Sequence, residues 1–196
     1  MKKAFAVLVL SLVCAAPAAM AQQFELYGSY WDTSDLDETF GGGVGFGFPF
    51  GESGLGLHVN GTYYQELSDD PVDNLFDDEE GVFEDESVEV LPIDVGLRYE
   101  FDTDGGFSPW IGGGFSYFMI DTTFEGVDVN DETGFHVSLG SRFGASESTN
   151  FFLEGVYRST EATLVRNRRE DDIDIRDEVA IDLDGIAVNA GIMWRF

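Results

Sequence analysis

Between Phe40 and Phe50 the chain alternates bulky apolar residues with glycine: Phe40, Val44, Phe46, Phe48 and Phe50 share one parity, and Gly41, Gly43, Gly45 and Gly47 share the other. A period of two marks a β-strand whose two faces differ. A soluble sheet would hide those aromatics in a core and turn polar residues to water, yet the second face here offers only glycine. The aromatics therefore need an apolar surrounding outside the sheet.

The alternation recurs in eight segments, and no window shows a convincing 3.6-residue pattern. Glu25, Tyr27 and Ser29 oppose Phe24, Leu26 and Tyr30; His58, Asn60, Thr62 and Tyr64 oppose Leu55, Leu57, Val59 and Tyr63. Asp94, Gly96, Arg98 and Glu100 oppose Ile93, Val95, Leu97, Tyr99 and Phe101, and Trp110, Gly112, Gly114 and Ser116 oppose Ile111, Phe115 and Tyr117. His136, Ser138, Gly140 and Arg142, then Phe152, Glu154, Val156 and Arg158, and finally Asn189, Gly191, Met193 and Arg195 continue the second face. Glycine, charge and hydroxyls collect on that face throughout. A sheet with its apolar side turned to lipid must pair every backbone group within itself, and only a closed barrel does so. The expected fold is all-β, an eight-stranded antiparallel up-and-down transmembrane β-barrel.

The N-terminus agrees with export. Lys2 and Lys3 precede a short apolar stretch, Ala4 to Ala15, and Ala19 and Ala21 form an A-x-A site. That is the plan of a secretory signal peptide, residues 1–21, cleaved after Ala21 to leave a barrel domain of 22–196. At about a dozen residues the stretch is too short to span a bilayer as a helix. Cys14 could anchor a lipoprotein, but Ser11, Leu12 and Val13 are not the small residues that usually precede such a cysteine. Lys2, Lys3 and Cys14 leave with the signal, so the mature chain has no lysine, no cysteine, and eight arginines against 38 acids. Disulfides and thiol catalysis are excluded. The acidity, a net charge of −28 over the whole chain, excludes nucleic acid as a partner.

The connections between the eight segments alternate in length. Residues 51–54, 102–106 and 145–150 are short links; 32–39, 66–89, 121–132 and 160–184 are longer ones. Short periplasmic turns and long acidic extracellular loops are therefore expected, with 30 of the 38 acids in the four loops.

The chain ends Asn189-Ala-Gly191-Ile-Met-Trp194-Arg-Phe196. This resembles the C-terminal signal by which the outer-membrane assembly machinery recognises its clients, carried by Asn189, Gly191, Trp194 and Phe196. With the signal peptide and eight strands, the chain is similar to small outer-membrane barrels of the OmpA/OmpX type, in pattern over the mature chain. In detail the likeness covers the last strand and Pro109-Trp110-Ile-Gly-Gly-Gly114. The resemblance implies the outer membrane of a Gram-negative bacterium, with lipid, lipopolysaccharide and the assembly machinery as partners. With the chain stopping at Phe196, the peptidoglycan-binding domain of larger members is not expected. A monomer without cofactor is expected.

On the inward face Glu25, Asp94, Glu100 and Glu154 balance Arg98, Arg142, Arg158 and Arg195. Buried charge must be paired, and guanidinium forks suit carboxylates, so a plugged, charge-paired interior is expected in place of an open pore. The expected role is non-enzymatic: envelope integrity or surface adhesion through the loops. Two alternatives stand beside it, a small-solute channel and a lipid A-modifying enzyme. His136 and Ser138 share a face and are similar to the H-x-S of outer-membrane lipid A deacylases. They also read as an interior hydrogen-bonding pair, and Leu139 and Gly140 do not continue that family's pattern. His58 lacks a second ligand at metal spacing. Asp69, Asp70, Asp77, Asp78, Glu79 and Glu80, with Asp171 and Asp172, could hold Ca²⁺ or Mg²⁺ weakly, since none has ordered loop-site spacing. Arg166, Arg168 and Arg169 are candidates for lipopolysaccharide phosphates.

Overall fold

A computed structural model describes residues 22–34, 38–67, 88–103, 106–122, 127–144, 146, 148–170 and 173–196. The strands are β1 (Gln23–Thr33), β2 (Thr39–Pro49), β3 (Leu55–Leu67), β4 (Val88–Glu100), β5 (Phe107–Thr122), β6 (Val127–Val129), β7 (Glu132–Gly144), β8 (Thr149–Ser159), β9 (Glu161–Glu170), β10 (Ile173–Asp182) and β11 (Gly185–Arg195). Eight of them close a barrel in the order β1-β11-β8-β7-β5-β4-β3-β2, every neighbour antiparallel. The seam joins the first strand to the last, from Gln23 opposite Arg195 to Thr33 opposite Gly185.

Alternation decides which way each side chain points. Outward, Phe115 is 80% exposed, Phe40 76% and Leu139 66%; inward, Trp31, Tyr64, Trp110 and Phe118 are fully buried. Phe46 has outward parity but is covered, because the Phe24 ring lies over it at 5.4 Å and itself stacks on Trp194 at 5.6 Å. The inward glycines of β2 make room for neighbours. A Cβ on Gly43 would meet the end of the Tyr27 ring, and one on Gly47 would touch Gln23 at 3.0 Å. On β7, Gly140 lies against the Trp110 indole, where a Cβ would sit 2.5 Å from the ring. Large and small side chains thus interlock across a lumen about as wide as side chains can fill. The turn after β2 carries Gly51 and Gly54 at φ 64° and 74°, a left-handed backbone that a side chain would oppose.

The segments 121–132 and 160–184, expected as loops, contain further strands. β10, β9 and β6 form a separate three-stranded sheet. Isoleucines and valines recur at period two through Ile173, Ile175, Val179 and Ile181, and the register sets Arg169 opposite Asp174 and Arg166 opposite Asp177.

Candidate functional site in the barrel interior

Four of the inward-facing acids and four arginines come together in three groups. At the centre, Arg98 of β4 reaches two strands: its Nη1 donates to Glu25 Oε1 of β1 at 2.6 Å and its Nη2 to Glu154 Oε1 of β8 at 3.0 Å. The guanidinium lies over the Trp110 ring, 4.4 Å from its centroid, and the Trp110 Nε1 donates to Glu154 Oε1 at 3.1 Å. Gln23 Nε2 also donates to Glu25 Oε1, at 2.6 Å. Asn189 ties the group to β11, giving its Nδ2 to Glu154 Oε2 and accepting Ser29 Oγ at 2.7 Å.

A second group lies towards the end bearing the longer connections. Arg158, fully buried, donates through Nη2 and Nε to Asp94 Oδ2 at 2.8 and 3.2 Å. Ser116 Oγ donates to Asp94 Oδ1 at 2.6 Å. Above these the lumen is filled largely by Trp31, Tyr64, Val90, Phe118 and Ile120, all buried, with Trp31 within 4.9 Å of Tyr64. The third group lies at the opposite end: Arg142 binds Glu100 Oε1 through Nε at 2.7 Å and Nη2 at 2.6 Å, and Arg195 Nη1 approaches the same oxygen at 3.6 Å. These residues border a cavity of about 270 Å³, also lined by Arg98 and His58, that opens at the 51–54 turn.

His136 and Ser138 both belong to the inward parity of β7, but the only side-chain hydrogen bond of His136 among the described residues runs from its Nδ1 to Ser116 Oγ, at 3.1 Å. They therefore do not form a hydrogen-bonded Ser–His pair here. His58 Nε2 lies 3.2 Å from Glu25 Oε1 but outside hydrogen-bond geometry. Among the described residues no group of three or more His, Cys, Asp or Glu could hold a metal ion. Asp69, Asp70, Asp77, Asp78, Glu79, Glu80, Asp171 and Asp172 lie outside the described residues, as do residues 1–21. The side chains of Arg166, Arg168 and Arg169 do too. Of the terminal signature, Asn189 is inside the network, Gly191 packs against β1, Trp194 stacks on Phe24, and Phe196 is 83% exposed.

Gln23, Trp31, Val90, Phe118 and Ile120 were not singled out from sequence. Continuing the alternation of β1, β4 and β5 outward past their polar centres would have found them.

Outside, three tyrosines mark the end with the longer connections. Tyr30 donates to Glu38 at 2.5 Å, Tyr117 to Asp131 at 2.9 Å and Tyr157 to Asp184 at 2.9 Å. Rings that are apolar at the body and bonded to carboxylates at the tip suit a membrane–water boundary. Desolvation opposes ionisation of Asp184, but together the hydrogen bonds from Ser159, Tyr157 and the Thr160 amide hold its carboxyl below the usual carboxylate range.

A family model described as the outer membrane protein beta-barrel domain matches residues 5–196. No curated protein matches the sequence. Among solved structures, the crystal structure of Neisserial surface protein A is similar at 14% identity and a TM-score of 0.64, covering 89% of this chain and 96% of that one. The solid-state NMR structure of the outer membrane protein AlkL in DMPC bilayers is similar at 13% identity and a TM-score of 0.59, covering 90% of each. At such identities the likeness is one of fold.

Proposed function

The chain belongs to the outer membrane protein beta-barrel domain family, and from that membership we propose that it is a non-enzymatic outer-membrane protein with a plugged interior, acting in envelope integrity or surface adhesion through acidic extracellular loops. The observation that carries this reading is Arg98, bonded across the lumen to acids on two other strands and lying over a buried tryptophan. With Arg158 and Asp94 buried above it and apolar side chains above those, little of the lumen is left for a solute. The apolar wall outside fits lipid, and the tyrosine–carboxylate pairs fit a boundary beyond which the acidic loops meet water and lipopolysaccharide.

Planar-bilayer recording tests the plugged interior. The purified mature protein is expected to show no steady, reproducible channel; large regular conductance steps would mean an open pore.

A strain lacking the protein tests the role. Detergent sensitivity is expected to rise or surface attachment to fall, with both the native chain and Ser138→Ala restoring the phenotype and the lipid A mass spectrum unchanged throughout. Lipid A that changes on deletion and returns with the native chain but not with Ser138→Ala would make the protein an enzyme.

A further inference from the structure

The carboxylates and guanidiniums of the enclosed part of the lumen do not balance. Among the described residues, the buried acids are Glu25, Asp94 and Glu154, and the buried guanidiniums are Arg98 and Arg158. Leaving aside the buried histidines His58 and His136, one negative charge is left over. The arginine surplus, Arg142 and Arg195 around Glu100, sits at the cavity mouth, where Arg195 is 38% exposed. A carboxylate removed from water needs a counter-charge close by.

The unmatched charge has a definite place. Glu25 uses Oε1 for Arg98 and Gln23, whereas its Oε2 is buried without a hydrogen-bond partner, and so is Asn60 Oδ1. Both oxygens point to one spot. A Cβ built on Gly45 would lie 2.9 Å from Glu25 Oε2 and 2.8 Å from Asn60 Oδ1. Register produces this, since Gly45 stands opposite Glu25 on one side and opposite Asn60 on the other. Two acceptors flank a residue without a side chain, and neither has a donor.

We propose that this cradle over Gly45 binds a monovalent alkali-metal cation of the sodium class, held by Glu25 Oε2 and Asn60 Oδ1 with water completing its shell. A hard cation matches a carboxylate and an amide oxygen. A water molecule would satisfy both acceptors but leave the charge, and a divalent ion would overshoot it with one carboxylate oxygen to hold it. Entry is from the periplasmic side, because Gly47 and His58, next along the inner faces of β2 and β3, line the 270 Å³ cavity there. The site is independent of what the loops do.

The full mature chain, folded in detergent, provides the test. Thermal unfolding is followed in sodium chloride and in choline chloride at equal ionic strength. Each tenfold rise in sodium is expected to raise the midpoint by about 3 to 5 °C once the site begins to fill, and choline to leave it unmoved. Asn60→Ala removes a ligand, and Gly45→Ala fills the cradle with a methyl group. Either variant that folds is expected to lose the sodium dependence. Crystals soaked in thallium(I) should show an anomalous peak beside Glu25 Oε2 and Asn60 Oδ1. Equal midpoints in the two salts overturn the site, as does a crystal with only water there. A midpoint that follows pH and ignores cation identity also overturns it, by placing the charge on His58.

Discussion

Arg98→Ala is expected to be the most damaging single change in the barrel. It removes the guanidinium that holds Glu25 Oε1 at 2.6 Å and Glu154 Oε1 at 3.0 Å, leaving two enclosed carboxylates without it. Removing one partner of a buried ion pair costs about 3 to 5 kcal/mol, and here two acids lose the same partner, so the upper end applies. Arg98→Lys keeps the charge but presents one ammonium where a planar fork now serves two carboxylates, and a large part of the loss remains. Adding Glu154→Gln to Arg98→Ala removes one stranded charge and should recover part of the stability, which separates charge imbalance from lost packing on Trp110. Denaturant unfolding in detergent micelles, read alongside the heat-modifiable gel shift, measures all three. An Arg98→Ala protein that unfolds with the native chain would mean that the central group contributes nothing to stability.

Gly191→Ala is the second. A Cβ there would collide with the Leu26 backbone carbonyl oxygen and lie 2.6 Å from the Tyr27 Cβ. The obstacle is backbone and the root of a side chain, neither of which can swing aside as a side-chain tip can. Because β1 and β11 are neighbours throughout, relief requires the two strands to part at the seam, with loss of ladder hydrogen bonds. Overpacking typically costs 1 to 3 kcal/mol, and about 3 kcal/mol is expected here. A reduced fraction of heat-modifiable protein and a lowered unfolding midpoint are the readouts. Gly28→Ala is the control, since a Cβ at Gly28 meets nothing within 4 Å and the midpoint should barely move.

Much of this architecture is legible in the sequence because lipid and lumen demand opposite chemistry from successive residues. Phe40 and Phe115 can only face outward, and Glu25, Asp94 and Arg158 only inward. Parity alone therefore identifies the wall and the interior side chains. It does not identify who meets whom. Arg98 reaches Glu25 and Glu154 because closure brings β1 and β8 within reach of β4, and the stagger of a closed sheet is a property of the whole ring. The apolar interior around Trp31, Val90 and Phe118 is also hidden, since there both faces of a strand are hydrophobic and the alternation fades. The separate sheet of β6, β9 and β10 shows the converse. Ile173, Ile175, Val179 and Ile181 keep strand periodicity, but the acids among them read as loop composition.

The pairing of β1 with β11 bears on how such a chain can come into being. β11, which completes the wall, follows the other seven barrel strands in the chain, so no intermediate that lacks it can be a smaller version of the finished object. Until β11 arrives, β1 and β8 present bare edges, and the aromatic outer wall has no lipid to meet. Closure must also bring Gln23 of β1 opposite Arg195 of β11, across the longest sequence separation in the barrel, which makes this a slow step. Loss of β11 from Gly185 on would accordingly cost more than one strand's share of stability: it would leave an open, sticky sheet, and would be as costly as a truncation in the middle of the barrel.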